Sequence, residues 1–201
     1  VFDPSGSHPR GVYNLWQGFG VHPMSGASCA LFHAHLLQVI CAGCVKCYQY
    51  VLNWLALMIQ QPHELPGVAI VLVSIEGTGK GLFIKYLQAL MGVHFVRVSH
   101  KSELVGQFSG HLSRAVLVFA DELCWRDDRD AAGVLKGLIT EKTRLLNQKH
   151  IDAIPVNNCI HLIAASNESW VIPAGQTDRR FLVLDVVPCL ASTILSGRRQ
   201  L

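Results

Sequence analysis

The stretch that most constrains this chain is Val68-Ala69-Ile70-Val71-Leu72-Val73, followed at once by Ser74-Ile75-Glu76-Gly77-Thr78-Gly79-Lys80-Gly81. An apolar, mostly β-branched run of this length suits a strand buried on both faces, the pattern of a parallel sheet covered by helices. The residues from Lys80 to Met91 read as a helix. In a strand-turn-helix of this kind the glycines let backbone N–H groups converge on phosphate oxygens, and the helix N-terminus adds its positive end. Lys80 supplies a mobile charge for β- and γ-phosphates, so Gly77, Thr78, Gly79, Lys80 and Gly81 are the expected nucleotide-binding residues. The plain alternative is an ordinary glycine turn, which Gly-Thr-Gly-Lys-Gly in this context disfavours. Two positions depart from a standard phosphate loop. Ser74 stands where the first glycine belongs, and Gly81 where a hydroxyl usually ligands magnesium, while Glu76 adds negative charge beside the phosphates.

Four more strands are expected at His94 to Val98, Ala115 to Ala120, Ile160 to Ala165 and Phe181 to Val187, with a second helix from Asp128 to Thr140. Such alternation argues an α/β domain with a mainly parallel sheet and ligands at the strand carboxyl ends. Upstream, Val1 to Gly26 reads as an irregular lead-in that packs Tyr13, Leu15, Trp16 and Phe19 on its neighbours. Leu36, Ile40, Val51, Leu55 and Met58 recur at helical spacing, so one or two buried helices are expected there. Pro62, Pro66 and Gly67 punctuate the chain, dividing it into a lead-in with a small helical subdomain (1–65), a core (66–190) and a tail (191–201).

Three further constellations carry chemistry. The apolar run Val116 to Ala120 ends in Asp121-Glu122. There Asp121 can hold the hydration shell of a magnesium ion and Glu122 can take a proton from an attacking water. Ala164-Ala165-Ser166-Asn167 ends the next strand, and a neutral amide at Asn167 can orient that water without competing for the metal. Asp178-Arg179-Arg180-Phe181 leads into the last strand, where a guanidinium can reach a neighbouring subunit's γ-phosphate.

Together with Asn14-Leu15-Trp16-Gln17-Gly18-Phe19, Leu52-Asn53-Trp54-Leu55-Ala56 and Leu135-Lys136-Gly137-Leu138-Ile139-Thr140-Glu141, these motifs resemble the superfamily-three helicase domain of phage and mobile-element primase-helicases over roughly Phe2 to Pro188. The resemblance implies a P-loop NTPase core of AAA+-like type and assembly into a ring, usually a hexamer. It also implies ATP- and Mg²⁺-dependent movement on single-stranded DNA, an upstream primase or polymerase region, and work in the cytoplasm of a bacterial host. Such helicases carry a channel-facing lysine on a hairpin between the acidic and asparagine strands. The matching segment is Thr143 to Pro155, with Lys149 followed by His150 at its turn. Lys149 is therefore the candidate DNA-backbone contact, and phosphate contact of that kind is independent of sequence.

Composition excludes other classes. The 201 residues suffice for one well-buried domain with an appendage, and 50% hydrophobic against 15% charged residues excludes a disordered tail or coiled coil. The best apolar run, Val51 to Ile59, is about half of the roughly 20 residues a membrane-spanning helix needs. A net charge of +3 with scattered basic residues makes any nucleic-acid contact local. Seven cysteines without a signal peptide suit free thiols in a reducing interior, and the opening at Val1 reads as a piece of something longer. Cys41, Cys44 and Cys47 invite a metal reading but lack a fourth nearby thiolate. On a helix they would share one face as small hydrophobes. His63-Glu64 lacks the second His of a zinc protease, no nucleophile elbow occurs, and Asp127, Asp128 and Asp130 suit the acidic first turn of a helix. Two functional alternatives stay open: a P-loop nucleotide kinase, although Leu82 follows where kinases carry Thr or Ser, and a catalytically weak relic that keeps DNA binding and assembly.

Overall fold

The computed structural model describes residues 1–121, 129–167 and 178–188, and of residues 129–132 the backbone alone. Before the first strand come helix α1 (Ala30–His35), a π-helical turn (Leu36–Ile40) and helix α2 (Val45–Gln60). Next are β1 (Ala69–Val73), α3 (Lys80–Met91), β2 (Phe95–Val98), α4 (Lys101–Val105), β3 (Leu117–Asp121) and α5 (Arg129–Thr140). The chain continues through β4 (Thr143–Gln148), β5 (Ile151–Asn157), β6 (His161–Ser166) and β7 (Phe181–Asp185). Each apolar run read as a strand is one.

Five strands form a sheet in the order β2-β3-β6-β1-β7, every neighbouring pair parallel. Their side chains sort by the two-residue period of a strand. Ile70 and Leu72 of β1, Leu117 and Phe119 of β3, and Ile163 and Ala165 of β6 join one core, with Leu36, Ile40, Val51, Met58, Phe83 and Leu87 from the π-turn, α2 and α3. Ala69 and Val71, Val118 and Ala120, and Leu162 and Ala164 face the other way, onto Leu104 of α4 and Leu135 and Ile139 of α5. Continuous hydrophobicity in these strands thus reflects helices on both faces, and each fully buried large side chain contributes roughly 1.5–3 kcal/mol. No described helix is long and apolar enough to cross a membrane.

The segment before β1 is tied to the sheet at several points. Val51, Leu55 and Met58 line the buried stripe of α2, and the Trp54 indole N–H donates to the Val68 carbonyl at 2.8 Å. In the lead-in, Trp16 stacks on the buried His94 ring at 4.3 Å. His94 Nδ1–H donates to the Arg114 carbonyl at 2.9 Å and Nε2 accepts the Gln17 N–H at 3.0 Å, a pairing that only the neutral ring can make. Burial pushes its pKa below the ordinary histidine value.

Two expectations are corrected. Tyr13 does not pack on a neighbour; it is 77% exposed, while Trp16 and Phe19 lie against the core. Cys41, Cys44 and Cys47 do not share a helix face, because the chain turns between them through left-handed Ala42 (φ 49°) and Gly43 (φ 78°). Cys41 is buried at the end of the π-turn, its thiol pushed up to about 12 by burial. Cys44 caps α2, its sulfur accepting the Cys47 N–H at 3.3 Å. No group of three metal-ligating side chains occurs among the described residues.

Candidate functional site

β1, β6 and β3 are neighbours in register, Val73 beside Ser166 and Asp121 beside Ala165, so the residues that follow or end these strands meet at one carboxyl edge. The turn after β1 is shaped by Gly77 (φ 76°) and Gly79 (φ 110°). At Gly79 any Cβ would also sit 3.0 Å from His35 Cε1 and 3.1 Å from Val39 Cγ1, so the residue is fixed both by its dihedral and by its surroundings. The His35 Nε2–H donates to the Gly79 carbonyl at 3.2 Å, which seats the turn on α1 and the π-turn.

Thr78 is buried, and its hydroxyl lies 2.6 Å from the Ser74 hydroxyl and bonds the Ile75 carbonyl at 3.2 Å. The Ser74 side chain is thereby used inside the turn. Glu76 is exposed, and Gly81 has open space where a side chain would stand. Lys80 opens α3 and reaches back over the strand ends. Its ammonium donates to the Ser74 carbonyl at 2.7 Å, the Ser166 carbonyl at 3.3 Å and Asn167 Oδ1 at 3.0 Å. Lys80, Asn167 and Asp121 line one cavity of about 460 Å³ together with Lys85 and Arg97.

Arg97 and His35 were not among the expected site residues. Arg97 sits in β2 opposite Phe119, with its guanidinium 5.1 Å from that ring's centroid and Nη1 2.8 Å from Asp121 Oδ2. A lone Arg inside the otherwise apolar Phe95-Val96-Arg97-Val98 was the available signal for the first. Glu122 lies outside the described residues.

The remaining candidates stand elsewhere. β7 runs parallel to β1 with Phe181 beside Ala69, so Arg179 and Arg180 lie at the amino edge, about 13 Å of strand away from the turn that carries Lys80. The two arginines differ. Arg180 Nη1 pairs with Asp178 Oδ1 at 3.3 Å, and Lys136 Nζ takes Asp178 Oδ2 at 3.2 Å. Burial raises the Asp178 pKa, but the Arg180 N–H and the two cations outweigh it and hold the carboxyl below its ordinary range. Arg179 is exposed and makes no ion pair among the described residues.

The segment from Thr143 onward is an antiparallel hairpin of β4 and β5, turning at exposed Lys149 and at His150 (φ 65°). It is outside the main sheet. Ser109 and Asn147 exchange bonds of 2.9 and 3.1 Å, and Arg144 Nη2 donates to the Leu112 carbonyl at 2.7 Å, which ties β4 to the segment before β3 both near its start and two residues short of the turn.

Comparison with known proteins gives a consistent picture. The family of unknown function DUF5906 matches residues 72–180, more than half of the chain. The DNA primase-polymerase of Nitratiruptor phage NrS-1 is 31% identical over 138 residues, 67% of this chain and 19% of that protein. The apo structure of the NrS-1 C-terminal region superposes with a TM-score of 0.77 at 26% identity, covering 92% of this chain and 47% of that one. A JCV helicase structure shares the fold, with a TM-score of 0.50 at 14% identity over 87% of this chain and 52% of its own. This chain is therefore homologous to part of a phage DNA primase-polymerase and spans less than half of the NrS-1 chain that it superposes on.

Proposed function

The chain belongs to the DUF5906 family, and on that premise we propose that it is the ATP-hydrolysing motor of a phage or mobile-element replication protein, working as a ring on single-stranded DNA. The observation that carries this reading is the convergence of Lys80, Asp121 and Asn167, at or beyond the ends of three neighbouring strands, on one cavity, which is also lined by Gly77, Thr78, Gly79 and Gly81 of a turn with left-handed Gly77 and Gly79. Similarity to a DNA primase-polymerase supports the setting in replication.

The residues present fit ATP with Mg²⁺. A polyphosphate needs converging N–H groups and a cation, which the turn and Lys80 offer, and a hard divalent ion needs an oxygen anion, which Asp121 offers. Gly81 gives no hydroxyl, and water can take that position because magnesium keeps several waters. When bound, the ion supplies positive charge against the β- and γ-phosphates. The Lys80 ammonium exchanges backbone and amide oxygens for phosphate oxygens, Asn167 orients the attacking water, and Glu122 is the candidate base.

Arg179 and Arg180 stand too far from Lys80 to serve the same chain's site, so they serve this reading only across a subunit boundary. With Arg180 held by Asp178, Arg179 is the better candidate to reach a neighbour's phosphate. Lys149 at the hairpin turn is the proposed DNA-backbone contact.

Phosphate release with and without single-stranded DNA, run beside an assay for transfer to nucleotide acceptors, tests the reading. DNA-stimulated release supports the motor. Transfer to an acceptor replaces it with a nucleotide kinase, and silence with intact DNA binding replaces it with the relic. An Arg179→Ala protein mixed with Lys80→Ala protein should recover hydrolysis if the arginine acts in trans, because a mixed interface pairs an intact turn with an intact arginine. Mixed rings that stay inactive would remove Arg179 from the site.

A further inference from the structure

We propose that Arg97 is a built-in counter-ion for Asp121 that competes with the divalent cation for the same carboxylate, so that arrival of the metal hands Arg97 over to the nucleotide cavity. The second half of this proposal rests on the nucleotide reading above; the competition does not.

Three observations converge. Arg97 interrupts an apolar strand, yet its Cα is in register with Phe119 and its guanidinium travels two residues further along β3 to Asp121 Oδ2, at 2.8 Å. That carboxylate ends the strand delivering it to the cavity, and both partners line the cavity with Lys80. The pair is also open to water, its side chains 44% and 32% exposed, so it is held weakly enough to exchange.

The Phe119 ring, 5.1 Å beneath the guanidinium, explains why the arginine would not simply swing into solvent on release. A planar cation retained over an aromatic face keeps its donors within the cavity. A lysine would lose both the stacking and the fork of donors. In the absence of metal the pair also neutralises Asp121, which would otherwise leave a bare anion beside a cavity meant for phosphates. Of the charged side chains lining the cavity among the described residues, Lys80, Lys85 and Arg97 are cationic, and Glu76 and Asp121 anionic. Within this set Arg97 and Asp121 are joined by a salt bridge.

The test is a titration with Mn²⁺, read by loss of the free-ion electron paramagnetic resonance signal, with and without ADP. Arg97→Met keeps bulk over Phe119 and removes the charge. It should lower the Mn²⁺ concentration for half-saturation at least threefold, and the gain should vanish when Asp121→Asn is added. An unchanged or higher half-saturation in Arg97→Met overturns the proposal. So does an equal gain in the Asp121→Asn background, since that would be a general effect of removing positive charge. Circular dichroism checks that each variant is folded. Should the parent protein fail to bind ADP, the nucleotide reading falls, and the titration with Mn²⁺ alone still decides the competition by the same criterion.

Discussion

The two edges of the parallel sheet are built in opposite ways. At the carboxyl edge, charged and polar side chains bond one another across strand ends: Lys80 to Asn167, Arg97 to Asp121. At the amino edge the corresponding groups are divided between structure and solvent. The side chain of half-buried Asp178 is covered beside Lys136 and Arg180, whereas Arg179 and, on the separate hairpin, Lys149 are exposed. The first arrangement suits exchange of partners with a ligand. The second holds the scaffold and leaves single cations for whatever approaches from outside.

The sharpest break in this contrast pairs Lys80→Met with Arg179→Ala. Losing two charge-assisted bonds to phosphate at about 1.5 kcal/mol each should weaken ATP binding roughly 100-fold in the first variant. The second should bind as the parent does by fluorescent-nucleotide titration. Equal losses would mean that both edges serve one site within a chain.

Asp178→Asn should act on stability instead, by about 1–3 kcal/mol in urea unfolding, because it strips a buried carboxylate from two cations that are partly exposed. Nucleotide affinity should not change. The sign with pH is defined. The folded carboxyl titrates below the ordinary 3.8, so its stabilisation is complete above that value and is lost as pH falls through the lower folded one. The variant should therefore show a flatter loss of stability over that acid range, and an unaltered acid limb would deny Asp178 its role.

Lys149→Ala should weaken single-stranded DNA binding several-fold at all sequences and reduce the salt slope by about one counterion. The smallest effect sharpens the contrast within the turn itself. Gly81→Ala, in a helix and with open space at its Cβ, should stabilise the fold by about 0.5–1 kcal/mol, unlike any change at Gly79. A thermal melt that falls rather than rises would show that Gly81 is held by something beyond helix propensity.

Much of this was legible in the sequence. Buried parallel strands announce themselves as unbroken apolar runs, and Lys80 to Met91 is the helix that its composition suggests. That Asp121 and Asn167 meet at one cavity was legible because each ends or follows a strand of one parallel sheet, and ligand crevices of such sheets lie at the carboxyl edge. Arg97 was not, because its partner lies 24 residues away and the pairing depends on the register of β2 against β3. The division of labour between Arg179 and Arg180 was equally hidden. It follows from which side chain turns onto Asp178, and that depends on Lys136 of α5. The three cysteines misled because left-handed Ala42 breaks the helix where no proline or charge warns of it.

Glycine-lysine turns are commonly regarded as portable cassettes, but this one is cast against a mould. His35 holds the Gly79 carbonyl from 44 residues upstream, and Val39 presses on the same glycine. A graft of β1, the turn and α3 into another sheet would carry every letter of the motif and leave its template behind. Conversely, drift at His35 or Val39, neither of which lines the cavity, would retune the curvature of the turn, and with it the aim of Lys80.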